Sequence, residues 1–247
     1  MNTPQAIAGW RWIQQGFSTF KKKPFELLFI FFGLIFVNLG LSLVPFVGAL
    51  IPFIFGPCLG MGIMHACRDI DEGKPVATGV LFVAFRSPAF RTLVLMGVLY
   101  TLALLAALAC SIPFDDGALW DYISDPSKAD PKALVKSNIG LGMLVFFAVY
   151  TPAAMAFWYG GPLIMWHGMS APKAIFYSFF AVWRARKAFL VYLLAWCGLL
   201  SFVAFLMALS GGVLGVLILP LMLSVSLVMY CTFYFSYKEV FSREQSA

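Results

Sequence analysis

The sequence predicts an all-α integral membrane protein with six transmembrane helices, arranged as three parallel repeats of an interfacial helix followed by a transmembrane hairpin. Three observations support this fold class. Hydrophobic residues make up 62% of the 247 residues and charged residues 11%, whereas a soluble domain has roughly 45–50% and about 25%. The charged residues lie between long uncharged apolar runs, as in multi-span membrane proteins. A short aromatic–basic pattern also occurs three times.

The apolar runs set the number and position of the helices. A helix that crosses the hydrocarbon core needs about 20 mostly apolar residues. Because six such runs occupy most of the chain, we expect one membrane domain over residues 1–247 and no soluble domain. We place the six spans near residues 25–44, 46–66, 92–112, 140–160, 188–209 and 212–236. A broken or re-entrant segment is the alternative for the second span, which contains Gly48, Pro52, Gly56, Pro57, Gly60 and Gly62.

The basic residues predict the orientation. Of the 17 Lys and Arg residues, all but three fall in segments that the six spans place on one side of the membrane. The other three are Lys128, Lys132 and Lys136, in an Asp-rich loop over residues 113–137. Cytoplasmic loops carry the excess of Lys and Arg. We therefore expect both termini in the cytoplasm and the loop over residues 113–137 on the extracytoplasmic side.

An aromatic-x-x-aromatic-basic pattern precedes each predicted hairpin. Its three copies are Phe17, Phe20, Lys21; Phe82, Phe85, Arg86; and Phe180, Trp183, Arg184. The spacing to the following span is nearly the same in each copy, since Phe25, Phe90 and Phe189 come five or six residues later. We assign the repeats to residues 5–68, 75–167 and 171–238. All three start and end on the same side, so their pseudo-symmetry axis would run along the membrane normal.

Each repeat is expected to begin with an amphipathic helix lying in the plane of the lipid headgroups. In the first, Trp10, Ile13, Phe17 and Phe20 form one apolar stripe with polar residues elsewhere around the helix. Each Lys or Arg at such a surface attracts anionic lipids with on the order of 1 kcal/mol. The predicted lipid-interface residues are Trp10, Trp12, Phe17, Phe20, Lys21, Lys22, Lys23, Phe82, Phe85, Arg86, Phe180, Trp183, Arg184, Arg186 and Lys187.

The run from Trp12 to Pro24, WIQQGFSTFKKKP, resembles the opening of a superfamily of uncharacterised six-span bacterial inner-membrane proteins. That superfamily includes proteins similar to the membrane domain attached to some glycerophosphodiester phosphodiesterases. In hydropathy and repeat layout the resemblance covers most of the chain. It implies a fold and a bacterial inner-membrane location. It brings no catalytic residues, and the chain has no room for the phosphodiesterase barrel.

One cluster has the composition of a metal site. Cys58, Met61 and His65 share a helical face in span two, and thiolate, thioether and imidazole together suit a soft metal such as Cu(I). Met and Cys are also ordinary filler in helical cores, and this is the interpretation we favour. We therefore predict no metal and no cofactor. Because neither histidine lies near a nucleophile motif, and the chain has no P-loop or dinucleotide fingerprint, we expect no enzymatic activity.

These features predict a non-enzymatic inner-membrane protein that engages membrane lipids, anionic ones in particular, through basic interfacial helices, and that scaffolds a partner or organises lipid or the envelope. A protein partner or homo-oligomer is compatible with this role, whereas nucleic acid is not expected. The alternative is a permease or channel for a small neutral or soft-metal solute. Its path would be lined by neutral polar residues within the spans: Asn38, Ser42, Thr101, Thr151, Ser201, Ser224 and Ser226.

Overall fold

The computed structural model describes residues 4–43, 48, 50–124, 138–209 and 215–241. These residues form helices and turns and contain no β-strand. The α-helices are α1 (Ala8–Lys22), α2 (Pro24–Ser42), α3 (Ile51–Asp71), α4 (Phe90–Asp115), α5 (Ala118–Ser124), α6 (Ile139–Trp158), α7 (Gly160–His167), α8 (Ala171–Arg184), α9 (Arg186–Leu209) and α10 (Gly215–Phe241). Two single-turn 3-10 helices, Val80–Phe82 and Ala84–Arg86, lie between α3 and α4. The predicted all-α class is confirmed.

Four helical segments of the described chain are long and apolar enough to cross a membrane: Pro24–Ser42, Phe90–Asp115, Ile139–His167 and Arg186–Leu206. They coincide with the first, third, fourth and fifth predicted spans. Even the 19-residue segment reaches about 28 Å, close to the thickness of the hydrocarbon core. Helices α3 and α10 occupy the other two predicted positions. The glycines and prolines of α3, together with His65 and Arg68, make that helix less apolar than its neighbours.

Helix α3 has no break between Ile51 and Asp71, although Pro57 lies inside it. Pro52 stands in the first turn, where the missing N–H has no helical partner to lose. The alternative of a broken second span therefore finds no support within residues 51–71. Most of the C-terminal half of α3 is buried, from Cys58 to Ile70. The core of the molecule is concentrated there, around α1, α3, α7 and the last turns of α10.

The fourth predicted span is longer than expected and bends at Tyr159, where α6 meets α7. In a regular helix the amide of Tyr159 would donate to the carbonyl of Met155. Instead it donates to Ser178 Oγ at 2.9 Å, and Ser178 Oγ donates to the Met155 carbonyl at 2.9 Å. A side chain inserted into the helical ladder in this way is a known cause of a kink. The same hydroxyl attaches α8 to the bend.

The second predicted interfacial helix is not an α-helix, so the prediction for that repeat was wrong in this detail. The chain there makes two 3-10 turns, which end at Arg86. Ser87 is extended, with φ −93° and ψ 154°, because it precedes Pro88 and the proline ring disfavours the helical conformation at the preceding residue. Gly79 lies just before the first turn. Too few residues remain between these points for a stable α-helix.

Small residues allow the helices to approach closely. A Cβ atom built on Gly9 would lie 2.1 Å from the Ala188 carbonyl oxygen, and one on Gly16 would lie 2.5 Å from the Thr232 side chain. Helix α1 therefore packs with its backbone against both α9 and α10. Between α3 and α4, a Cβ on Gly97 would lie 1.9 Å from the Ile54 carbonyl oxygen. This use of small residues is typical of helix packing in membranes.

Replacing Gly97 with Ala is expected to destabilise the protein by roughly 1–3 kcal/mol, because α3 and α4 must move apart. The measurement is the apparent melting temperature in detergent micelles. Gly198→Ala is the matched control, since a Cβ there meets no atom within 4 Å. That control should melt at or slightly above the wild-type temperature, because alanine favours a helix over glycine. Equal melting temperatures for Gly97→Ala and the wild type would contradict the close contact.

Candidate functional sites: the basic–aromatic rim and an intramembrane cavity

The predicted lipid-interface residues of α1 divide between its faces. Trp10 and Phe17 are exposed, while Phe20 is half-buried against the core. Lys21 and Lys22 are exposed at the end of the helix, and Lys21 Nζ lies 4.5 Å from the centre of the Phe17 ring. Lys23 is half-buried and pairs with Glu26 at 2.8 Å. Helix α1 thus presents exposed aromatic rings beside exposed ammonium groups.

Helix α8 repeats this arrangement. Phe180 and Trp183 are exposed, and Phe176, which the sequence reasoning missed, extends the same stripe one turn earlier. Arg186 lies over the Trp183 ring at 5.5 Å, and Arg184 and Lys187 are exposed next to it. We call the exposed residues of α1 and α8, together with the first two residues of α9, the basic–aromatic rim: Trp10, Phe17, Lys21, Lys22, Phe176, Phe180, Trp183, Arg184, Arg186 and Lys187.

In the middle repeat only part of the predicted set is exposed. Phe82 and Arg86 face outward. Phe85 is half-buried; its ring stacks on Phe55 at 5.9 Å between centres and makes a tilted contact with Phe90 at 5.4 Å. Its ring therefore attaches the 3-10 turns to α3 and α4. Of the predicted interface residues in this repeat, only Phe82 and Arg86 are exposed.

The prediction that Trp12 lies at the lipid interface is wrong. Its side chain has no exposed surface and makes edge contacts with Phe189 and Tyr192. Its indole N–H donates to Glu239 Oε2 at 2.8 Å, and Arg11 pairs with the other oxygen of that carboxylate at 2.9 Å. Trp12 follows Ala8 and Gly9 on the packing face of α1, whereas Trp10 lies on the opposite face. It therefore anchors α1 to the protein.

A cavity of about 1010 Å³ opens between α2, α3, α4, α6, α9 and α10. A second one of about 350 Å³ adjoins it and shares the walls at Pro52, Gly56, Tyr100, Trp158 and Tyr230. Among the described residues, the side chains that line the two cavities carry no charge. Most are apolar or aromatic. The space suits a small neutral molecule that hydrogen-bonds to the few polar groups of the walls.

Some of the polar residues that were predicted to line a permease or channel path do line the cavities. Asn38, Ser42 and Ser226 line the larger one. Thr101 is instead buried and donates to the Gly97 carbonyl at 2.8 Å, while Thr151 and Ser201 are exposed on the outer surface. Sequence reasoning missed the aromatic polar groups: a hydrogen-bonded pair of Tyr100 and Tyr150 hydroxyls, and Trp158 and Tyr230. In a chain with 26 Phe, aromatic residues gave no local signal.

The geometry around His65 disfavours the soft-metal cluster. His65 Nδ1 lies 3.2 Å from the Met61 carbonyl, and His65 Nε2 accepts a hydrogen bond from the Trp166 indole at 3.4 Å. One tautomer satisfies both contacts, with the proton on Nδ1, and it leaves no lone pair for a metal. Cys58 and Met61 are fully buried in the core. Within the described ranges, no group of three or more His, Cys, Asp and Glu side chains could hold a metal ion.

Lipid contact at the rim can be measured by fluorescence quenching. Reconstitution into bilayers that contain brominated phospholipid should quench the exposed indoles of Trp10 and Trp183. Replacing either with Phe is expected to lower the quenchable fraction of the total emission. Trp12→Phe should leave that fraction unchanged or raise it, because the buried indole is shielded. A loss of quenchable emission on Trp12→Phe as large as that on Trp10→Phe would contradict the assigned faces of α1.

Comparison with known proteins supports the membrane character of the chain. A probable inner membrane protein of Burkholderia thailandensis is 32% identical over 251 residues, which cover 97% of this chain and 93% of that protein. No protein-family model matches the chain, so the resemblance to the membrane domain of glycerophosphodiester phosphodiesterases gains no support. No solved structure matches it either. Similarity of this extent shows descent from a common ancestor, and the chain belongs to the family of this probable inner membrane protein.

Proposed function

We propose that this chain is a non-enzymatic, multi-pass inner-membrane protein that binds anionic lipids of the cytoplasmic leaflet through its basic–aromatic rim and organises lipid or envelope components there. The observation that carries the proposal is the pairing of exposed aromatic rings with exposed cations, on α1 and where α8 meets α9. Aromatic rings are favoured at the headgroup level, and Lys and Arg beside them attract anionic lipids.

The proposed topology has six crossings with both termini in the cytoplasm. Helices α3 and α10 would be the two further crossings, enclosed by the four more apolar ones. Their position supports this, because both contribute to the buried core and both line the cavities between the helices. The excess of Lys and Arg at one end supports the orientation. The three-repeat arrangement is part of the same proposal and is supported by the similar rim elements of α1 and α8.

The strength of the rim comes from several weak attractions acting together. An exposed ion pair or cation–π contact contributes on the order of 1 kcal/mol or less. Each additional Lys or Arg near an anionic surface contributes on the order of 1 kcal/mol, and the effect falls off within a Debye length. Arg184, Arg186 and Lys187 together should therefore change lipid preference by tenfold or more, on the order of the sum of three such terms. This preference should weaken in high salt.

Neutralising the rim is expected to abolish the preference for anionic lipid. The full variant replaces six residues with Gln: the rim cations Lys21, Lys22, Arg184, Arg186 and Lys187, and the neighbouring Lys23. The measurement is native mass spectrometry of lipids that remain bound after exchange into a mixture of phosphatidylglycerol and phosphatidylcholine. A three-site variant, with Gln at Arg184, Arg186 and Lys187, should show part of the loss.

The matched control replaces Lys128, Lys132 and Lys136 with Gln. It removes the same number of charges from the loop that the sequence assigns to the opposite side of the membrane. This control should retain the wild-type preference. If the six-site variant retains phosphatidylglycerol as well as the wild type does, the rim is not the lipid-binding element.

A second candidate function is passage of a small neutral solute, and the large uncharged cavity favours it. Gly56 lines both cavities, and a Cβ built on it meets no atom within 4 Å. Gly56→Leu should therefore narrow both cavities without disturbing the packing. If the cavity conducts, Gly56→Leu should slow glycerol entry into proteoliposomes, measured by stopped-flow light scattering. Asn38→Leu, which removes a polar wall group, should act in the same direction.

The matched control is Gly198→Leu. Gly198 lies on the exposed surface of α9, and a Cβ built there also meets no atom within 4 Å. This variant should conduct like the wild type. Glycerol entry no faster than in protein-free liposomes, or entry unaffected by Gly56→Leu, would remove this candidate.

A further inference from the structure

A pocket of about 390 Å³ opens at the end of the molecule where α3, α7 and α10 meet. Its walls include Arg68, Trp166, His167, Tyr237 and Lys238. These residues belong neither to the rim nor to the intramembrane cavities. They lie just beyond the predicted ends of the second, fourth and sixth spans. The proposed topology would therefore put them at the level of the lipid headgroups.

Arg68 is the unusual member of this pocket. Its side chain is half-buried, and its guanidinium lies over the Trp166 ring at 5.0 Å from the centre. Its Nε atom is buried and has no hydrogen-bond partner in the described part of the chain. Arg68 forms no ion pair with any residue that the structure describes. A buried donor without an acceptor is costly, and more so when the group is charged.

The nearby carboxylates are engaged with other groups. Asp71 accepts from Lys238 Nζ at 2.5 Å and from the Tyr234 hydroxyl at 3.1 Å. Glu72, which also lines the pocket, pairs with Lys74 at 2.5 Å. The Lys74 ammonium holds the pKa of the Glu72 carboxyl below its ordinary value, so this group remains an ionised partner of Lys74. Neither carboxylate forms an ion pair with Arg68.

Polar groups with hydrogen-bonding capacity face Arg68 across the pocket. His167 Nε2 lies 2.6 Å from the Tyr237 hydroxyl, and Lys238 lines the same wall. The Arg68 guanidinium lies over the Trp166 ring, and the Trp166 N–H donates to His65 Nε2. A fixed guanidinium beside an ammonium and a hydroxyl is the donor set that recognises tetrahedral oxyanions.

We propose that this pocket binds a phosphate group, with Arg68 as the principal ligand and Lys238, His167 and Tyr237 around it. The phosphate could belong to a lipid headgroup or to a soluble molecule, since both present the same oxygens. This inference goes beyond the rim, because it concerns a defined pocket that accepts one group. The rim acts by the sum of several exposed charges.

The test uses the full chain in maltoside micelles, which contain no phosphate. The probes are dioctanoyl phosphatidic acid and inorganic phosphate, each titrated by isothermal calorimetry. We expect saturable binding of at least one probe. Arg68→Gln should weaken it by about tenfold or more, as loss of a charge-assisted hydrogen bond predicts. Binding of phosphatidic acid alone identifies a lipid headgroup as the ligand, and equal competition by inorganic phosphate identifies a soluble one.

Two further variants separate this site from structural effects and from the rim. Arg68→Lys keeps the charge but loses the planar fork, so it should bind with intermediate affinity and melt at a temperature near that of the wild type. The six-site rim variant should bind the probe like the wild type, even though its preference for bilayer lipid is lost. The proposal is overturned if the wild type binds neither probe, or if folded Arg68→Gln binds as tightly as the wild type.

Discussion

The buried side chain of Trp12 is the contact on which the arrangement of this protein depends. Its ring packs against Phe189 and Tyr192 of α9, and its N–H reaches Glu239 near the end of α10. A short amphipathic helix is marginal by itself in water and gains its stability from such packing. Once this buried face fixes the rotation of α1, the positions of its aromatic stripe and of its lysines follow. The aromatic stripe turns outward and the lysines remain at the surface beside it.

The ion pairs at the same end of the molecule follow from that placement. Glu239 takes Arg11 and Trp12 as partners, and Asp71 takes Lys238 and Tyr234. These pairs are partly exposed and contribute little stability each. Their more important effect is that they occupy the carboxylates near Arg68. With Asp71 and Glu72 bonded to lysines, the Arg68 guanidinium lies beside an aromatic ring, and its Nε has no hydrogen-bond partner among the described residues.

Hydropathy was sufficient to predict the four long, most apolar helical segments, because an apolar run of about 20 residues has one favourable conformation in lipid. It could not assign Trp12, since α1 has two apolar faces and only the packed structure shows which one meets protein. The aromatic–basic pattern predicts a second interfacial helix, but it takes no account of Pro88, whose ring keeps Ser87 extended and ends the turns at Arg86. The cavities and the Arg68 pocket each draw residues from at least three helices distant in sequence, and no local pattern marks them.

The hydroxyl of Ser178 has a mechanical consequence. It replaces one backbone hydrogen bond at the bend between α6 and α7, so α8 cannot tilt or slide without straining the bonds at that bend. Trp158, which forms part of the cavity wall, immediately precedes the bend. A displacement of α8 relative to α6 would therefore strain these two hydrogen bonds as well as the helix packing, directly beside a residue of the cavity wall.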